Sequence, residues 1–414
     1  MLDKEYKNDI IIYSQKSQKS RPAQSLIFFI KTINMKILTG IKFAQTAGIA
    51  QVVLSFMDFI EKSKGNDLNI VVVNIIKKEK KQEKTFKKVI NKKTSIISLG
   101  LNVPNIAEIV NNAKNLAEVE KKYEEVISAY QTTIKNEKPD LVLINGTYFM
   151  PWCLLLASER ESIPVVLHYH GVLSKEVETW GKKQREIFLN MERCFDRKNI
   201  FYIFPSKITK NVVEKEIFKH KIKKSAIIPN PVSEHFFEEK NKIEKRNIGI
   251  ISRWTRVKNV HFCEELANYN QKNGNKFVIN VITDLDKNSK VYKNLSKLVK
   301  FHKPKSNKNL VSFYRNMGVV ISPSHFETYG NVAKEALASG TPAMVNSNMG
   351  VSETFNVLGL NDWIICFDSV KSVYDKIDGM IGETVNRDVR DKMKELYMPH
   401  TIFDRIISIL VSAV

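Results

Sequence analysis

Cysteine is scarce in this sequence. The four present, Cys153, Cys194, Cys263 and Cys366, are widely spaced, with no C-x-x-C and no Cys/His cluster at metal-ligand spacing. Nothing here reads as a disulfide framework or a structural zinc site, and reduced, mostly buried thiols in a cytoplasmic chain are the simple reading. Long apolar runs are also missing: none approaches the ~20 residues needed to cross a bilayer. No internal repeat of short period occurs. There is no zinc-finger or RNP-like motif, and the basic segments are not interleaved with stacking aromatics. Acidic residues are few beside basic ones, 44 against 65, leaving a net charge of +21. An excess of that size calls for an anionic partner: nucleic acid, a membrane surface or a phosphorylated substrate. Compositional drift in Lys/Asn/Ile-rich text is the plain alternative.

At 414 residues the chain is too long for one core, and two domains are expected. Residues 1–34 read as an extension whose short apolar centre, Ser25–Ile30, is flanked by Lys31. From Met35 strands alternate with helices. Strands are expected at 36–40, 69–76, 141–145, 164–168 and 200–206, with helices over 49–62, within 104–134 and over 176–197. Strands joined by helical crossovers imply a parallel sheet. Two prolines in Ile227–Ser233 and the loose, charged text after them place a hinge over 229–246. The alternation restarts at Asn247, with strands at 247–251, 276–283, 298–302, 318–322, 341–346 and 363–367. An amphipathic helix over 403–411 ends the chain. The expected division is an N-terminal domain over 35–228, a C-terminal domain over 247–398 and a final helix over 399–414.

The most informative stretch is Ser322-Pro-Ser-His-Phe-Glu-Thr-Tyr-Gly-Asn-Val-Ala-Lys-Glu-Ala-Leu-Ala-Ser-Gly-Thr-Pro342. The apolar run before it reads as a buried parallel strand stopped by Pro323. A polar loop with Glu327 and Gly330 follows, then a helix from Asn331 to Ser339 closed by Gly340 and Pro342. Strand, glycine loop and helix start together present free N–H groups and a positive dipole end to an anion. Glu327 and Glu335 flank that anion site. A carboxylate beside a phosphate is repelled by it, so its natural partners are neutral hydroxyls. Phosphate with ribose and sugar hydroxyls makes a nucleotide sugar.

This stretch resembles the E-x7-E signature of the retaining family 4 glycosyltransferases. The resemblance implies an α/β chain of the GT-B fold, in which two Rossmann-like domains face each other across a cleft. The last helix is expected to cross back to the N-terminal domain. The implied activity is transfer of a hexose-type sugar from a nucleotide diphosphate to a glycan or lipid-linked acceptor in cell-envelope or polysaccharide synthesis. Donor-binding roles fall on Glu327, Thr328, Tyr329, Gly330, Asn331, Val332 and Glu335. The segment Ile250-Ile-Ser-Arg-Trp-Thr-Arg-Val-Lys258 resembles the family's diphosphate-holding strand and loop, with Arg253 and Lys258 as its cations and Arg256 as a third candidate. Ser252 and Asn259 stand where glycine is frequent. His170, at a strand end before Gly171, matches a family position near donor sugar and acceptor. Gly48 resembles the glycine of the loop that approaches the donor from the first domain, and Gln45 and Thr46 are candidates to touch the acceptor. His170, Glu327, Arg253 and Lys258 are the expected catalytic group, with no enzymatic nucleophile.

Asp284-Leu-Asp286 looks like a D-x-D metal motif, but it follows a strand in the second domain where this family shows a glycine turn. No metal or other cofactor is expected. Lys77–Lys93 holds nine lysines and two glutamates, with Phe86, Val89 and Ile90 at helical spacing. That pattern reads as a basic amphipathic stretch for peripheral contact with an anionic membrane at the cytoplasmic face, with a solvated loop as the alternative. A second basic patch runs over 215–224. No nucleic-acid partner is expected. The competing readings are a sugar-nucleotide epimerase of the same fold and a basic nucleic-acid-binding protein.

Overall fold

The computed structural model describes residues 34–41, 48–63, 67–77, 86–177, 180–238, 246–303 and 307–414. The N-terminal extension and the Gln45–Thr46 loop therefore lie outside the described residues. Two parallel sheets organise the rest. The first contains β1 (Asn34–Ile41), β2 (Asp67–Lys77), β3 (Phe86–Val89), β4 (Thr94–Leu101), β5 (Leu141–Asn145), β6 (Val165–His168), β7 (Phe201–Phe204) and β8 (Ser225–Ile227). Its order is β3-β4-β2-β1-β5-β6-β7-β8. The second contains β9 (Asn247–Ile251), β10 (Val278–Ile282), β11 (Lys300–His302), β12 (Val319–Ser322), β13 (Ala343–Asn346) and β14 (Ile364–Ile365), in the order β11-β10-β9-β12-β13-β14. Within both sheets the described pairings are parallel except that of β3 with β4. The central strands are apolar on both faces: every residue of β5, β6 and β12 is buried. Burial of that kind requires helices on both sides of the sheet.

Each sheet reverses direction once. In the second, the chain runs outward from β9 through β10 to β11, then returns to β12 on the other side of β9. In the first it runs from β1 toward β4 and returns to β5. Ligands of such sheets bind outside the carboxyl ends of the strands at these switch points. The two carboxyl edges face one another. The Thr328 hydroxyl, after β12, donates to the His170 carbonyl, after β6, at 2.8 Å.

Several local expectations are corrected. The stretch around Phe86, Val89 and Ile90 is not helical. Phe86–Val89 is an extended edge strand antiparallel to β4, leaving all three apolar side chains exposed. β4 offers a free edge, and pairing with it satisfies backbone groups that an isolated lysine-rich helix would have to satisfy against its own repulsion. Lys87 is anchored there by Glu137 at 2.6 Å. β4 and β8 also lie beyond the sequence reading. The helix expected over 176–197 is two helices, Leu173–Glu176 and Lys182–Arg193, with Gly181 opening the second.

The final helix, Pro399–Ser412, starts with proline at its first turn and buries Ile402, Phe403, Ile406, Ile407 and Leu410. Phe403 packs against Phe56 and Phe59 of the first helix, Gly48–Lys62, with ring centroids 5.3 and 5.5 Å away. The Arg405 guanidinium donates to the Ile227 carbonyl at 2.8 Å. The chain thus closes across the first domain. Phe403→Ala should lower unfolding free energy by ~3–5 kcal/mol, read by denaturant titration, because a fully buried ring is removed from between two others.

Candidate active site

Arg253 and Lys258 follow β9, and Glu327 follows β12, so all three lie at the switch point of the second sheet. Lys258 reaches Glu327 at 3.0 Å, with both side chains mostly covered. Ser324 holds the same carboxylate oxygen at 2.7 Å. The two loops also touch through backbone, His325 N–H donating to the Val257 carbonyl at 2.9 Å. Arg253 is exposed at the mouth and lies 3.8 Å from Glu176, contributed by the first domain. The two candidate diphosphate cations therefore face two carboxylates.

Asp284 of the D-x-D sequence accepts from the Trp254 amide at 2.8 Å. It fixes the backbone next to Arg253. Asp286 accepts from the Asn288 amide at 2.9 Å and shapes a turn. Both carboxylates are thus engaged in local backbone structure. Among the described residues no group of three or more His, Cys, Asp or Glu side chains is placed to hold a metal ion.

Gly330 turns the chain from the loop into the helix Asn331–Ala338. Its φ is +113°, and an added Cβ would meet Met349 and Val351 atoms at 2.9 Å. Only glycine combines that backbone with that approach. The turn leaves the first amides of an eight-residue helix without intrahelical partners beside Glu327. Tyr329 is buried with its hydroxyl 2.7 Å from that of Thr354, so only its backbone can serve a ligand. Val332 packs on the core. The Asn331 side chain accepts from Asn230 of the linker at 3.1 Å.

Glu335 lies one turn further on, partly buried. Its carboxylate accepts the Tyr314 hydroxyl at 2.8 Å. Burial pushes its pKa up to about 7, opposed by that hydrogen bond and by Lys334. Lys334 itself is fully buried, donates to the Asn230 carbonyl and lies 4.2 Å from the Tyr329 ring centre and 5.6 Å from that of Tyr397. Burial holds its pKa well below the ordinary lysine value. No sequence pattern flagged Lys334, because a lysine on a helix is ordinarily a solvated one.

On the facing domain His170 Nε2 lies 3.0 Å from the Asn145 side-chain oxygen, and the Asn145 amide donates to Thr39 Oγ1 at 3.0 Å. Burial lowers the His170 pKa to about 4, which leaves a neutral imidazole at ordinary pH. The His168 ring lies 4.0 Å from it, tilted by 43°, and is buried in the sheet. The short helix carrying Glu176 is pinned at its start by buried Glu192, which accepts the Leu173 and Ser174 amides at 2.9 and 3.0 Å. Gly48 opens the first helix, and the loop before it lies outside the described residues. The structure therefore gathers Arg253, Lys258, Glu327 and Thr328 with His170 about one cleft. Tyr329 and Asn331 sit in packing and linker contacts, and Glu335 sits against Tyr314.

Comparisons with known proteins bear on the domain and the fold. Residues 232–395 carry a domain matching the family described as Glycosyl transferases group 1. A stretch of 101 residues is 29% identical to the capsular polysaccharide biosynthesis glycosyltransferase CapM of Staphylococcus aureus, covering 23% of this chain and 26% of that relative. The match thus spans about a quarter of that protein's length. Among solved structures, sucrose-phosphate synthase of Thermosynechococcus elongatus is similar with a TM-score of 0.69 at 12% identity, covering 91% of this chain and 98% of that one. A UDP-forming α,α-trehalose-phosphate synthase of Burkholderia vietnamiensis is similar with a TM-score of 0.64 at 11% identity, covering 92% and 97%. These likenesses establish the GT-B fold, two parallel-sheet domains across a cleft.

The raised pKa of Glu335 generates a pH prediction. The donor-hydroxyl role expected of Glu335 needs an ionised carboxylate, and burial keeps it protonated below about 7. Nucleotide affinity, measured by calorimetry, should rise as pH increases through that value. Glu335→Gln should bind more weakly and lose that pH step.

Proposed function

We propose that the chain is a retaining glycosyltransferase, moving a hexose-type sugar from a nucleotide diphosphate to a glycan or lipid-linked acceptor in cell-envelope polysaccharide synthesis. The observation that carries this reading is the Lys258–Glu327 pair with Arg253 at the β9/β12 switch point, opposite His170. Cations fixed at a sheet's carboxyl edge suit a diphosphate, and the adjoining helix start adds amide donors. Diphosphate arrival displaces the carboxylates from Arg253 and Lys258, freeing Glu327 for sugar hydroxyls.

The chemistry follows from charge. The bond between the sugar's anomeric carbon and the phosphate oxygen breaks, and negative charge develops on the diphosphate. Arg253 and Lys258 stabilise that charge while the sugar becomes oxocarbenium-like. The acceptor oxygen bonds the anomeric carbon on the face being vacated, and its proton passes to the departing phosphate. His170, neutral and oriented by Asn145, hydrogen-bonds sugar or acceptor without adding charge. Retention rests on the likeness of the 322–342 motif to retaining enzymes.

Fixed cations stand where a metal would otherwise neutralise the diphosphate, so turnover should survive EDTA. UDP-sugars are the first donors to try, since one similar solved structure, from E. coli, was bound with UDP-2-fluoro glucose. UDP- and GDP-sugar consumption, with and without membrane extract as acceptor, tests the assignment. Arg253→Ala and Lys258→Ala should each lower turnover by ~10²–10³. Full activity in both variants, or an inverted anomeric product, defeats the proposal.

A membrane contact belongs to the same reading. Phe86, Val89 and Ile90 are exposed along the β3 edge and the turn after it, beside Lys88 and Lys92, and the described residues contain no helix long and apolar enough to cross a bilayer. Co-sedimentation with phosphatidylglycerol vesicles at low salt should be lost in the Phe86→Ser, Val89→Ser double variant and weakened by salt.

A further inference from the structure

The hydrogen bonds of Thr328 all leave its own domain. Its hydroxyl donates to the His170 carbonyl at 2.8 Å. Its carbonyl accepts the hydroxyls of Ser206 and Thr209, each at 2.8 Å. All three partners belong to loops or helix starts at the carboxyl edge of the first sheet, and both Ser206 and Thr209 are buried. The residue before Thr328 is Glu327, held by Lys258. Two residues after it, Gly330 opens the helix of the anion site. The loop that meets the donor is therefore the same loop that is bonded to the backbone of His170.

The join is built into both domains. Gly350 leaves room for it: a Cβ there would stand 2.1 Å from the Thr328 carbonyl oxygen and 2.5 Å from Ser206 Oγ. Beside it, Glu353 of the second domain accepts the Lys207 and Ile208 amides of the first at 3.0 and 2.7 Å. Those amides start the helix Lys207–Val212, whose cap is Ser206. A carboxylate accepting first-turn amides is a stabilising arrangement, here made between domains.

We infer that Thr328 is a positioning residue: it couples the donor-binding loop to His170 across the cleft, and its side chain is not a donor ligand. This rests on the reading of the cleft as a sugar-transfer site. A neutral hydroxyl donor is what the His170 carbonyl requires; valine has the shape of threonine without it. Without that bond the imidazole is free to shift relative to the loop carrying Glu327. A shift of about 1 Å at a reacting centre costs up to ~10²-fold in rate.

The test compares Thr328→Val and Thr328→Ser with the unaltered protein by two readouts. The first is kcat and KM for whichever nucleotide sugar the donor panel identifies, with hydrolysis as the reaction. Thr328→Val should lower kcat about tenfold or more while KM stays within about twofold, and Thr328→Ser should restore kcat. The second needs no substrate: ring nitrogen shifts of His170 by NMR, assigned with His170→Gln. They should move in the valine variant and return in the serine variant. Unchanged His170 shifts in folded Thr328→Val overturn the inference, as does a raised KM at constant kcat, which would make the side chain a donor contact. If no nucleotide sugar is consumed, the sugar-transfer reading fails, and the NMR comparison still decides whether the hydroxyl positions the histidine.

Discussion

The turn at Gly330 is the constraint on which the cleft depends. Its left-handed backbone and the close approach of Met349 and Val351 fix where the loop after β12 ends and where the next helix begins. Everything upstream, Glu327 and Thr328, is delivered to the face shared with the first domain. Everything downstream is rotated inward, so that Lys334 is buried against the linker and Glu335 rests on Tyr314. A side chain at position 330 would strain the backbone and displace two packed residues at once. One small residue thus sets the separate directions of the loop before it and the helix after it.

Charge in the cleft is arranged to be exchangeable. Lys258 with Glu327 and Arg253 with Glu176 are partial neutralisations whose members keep some exposure to water. The exposed Arg253–Glu176 pair contributes little to stability, so its members can change partners at small cost. Lys334 and Glu192 behave differently. Both are fully buried and satisfied by backbone groups, Lys334 by the Asn230 carbonyl and Glu192 by the Leu173 and Ser174 amides. Removing either partner would leave an isolated polar group in a low-dielectric surround, which is far more costly. The less buried charges line the cleft, and the buried ones hold the backbone that carries them.

Much of this was legible in the chain. The two parallel sheets followed from apolar runs alternating with helical patterns. The loop and helix of the 322–342 motif followed from Pro323, Gly330, Gly340 and Pro342. The placement of Arg253 and Lys258 just after β9 followed from a strand edge succeeded by cations. What escaped was of two kinds. The edge strand Phe86–Val89 carries a helical spacing that misleads, since its conformation is imposed by the open side of β4. The interdomain join is a matter of partners more than 100 residues apart, so nothing local marks Thr328 or Glu353. Ser206 and Thr209 did carry a helix-start signal, a serine cap receiving the amide three residues on. That signal speaks to the helix and is silent on the opposite domain.

The return of the final helix has a consequence for how the chain matures. Phe56 and Phe59 are made well before Phe403, which covers them. Domains tend to fold as they emerge, N-terminal first. Here the first domain keeps an unsealed apolar seam until the second domain and the helix after it have been made. During that interval the nascent chain is a natural client for chaperones that shield exposed aromatic surface.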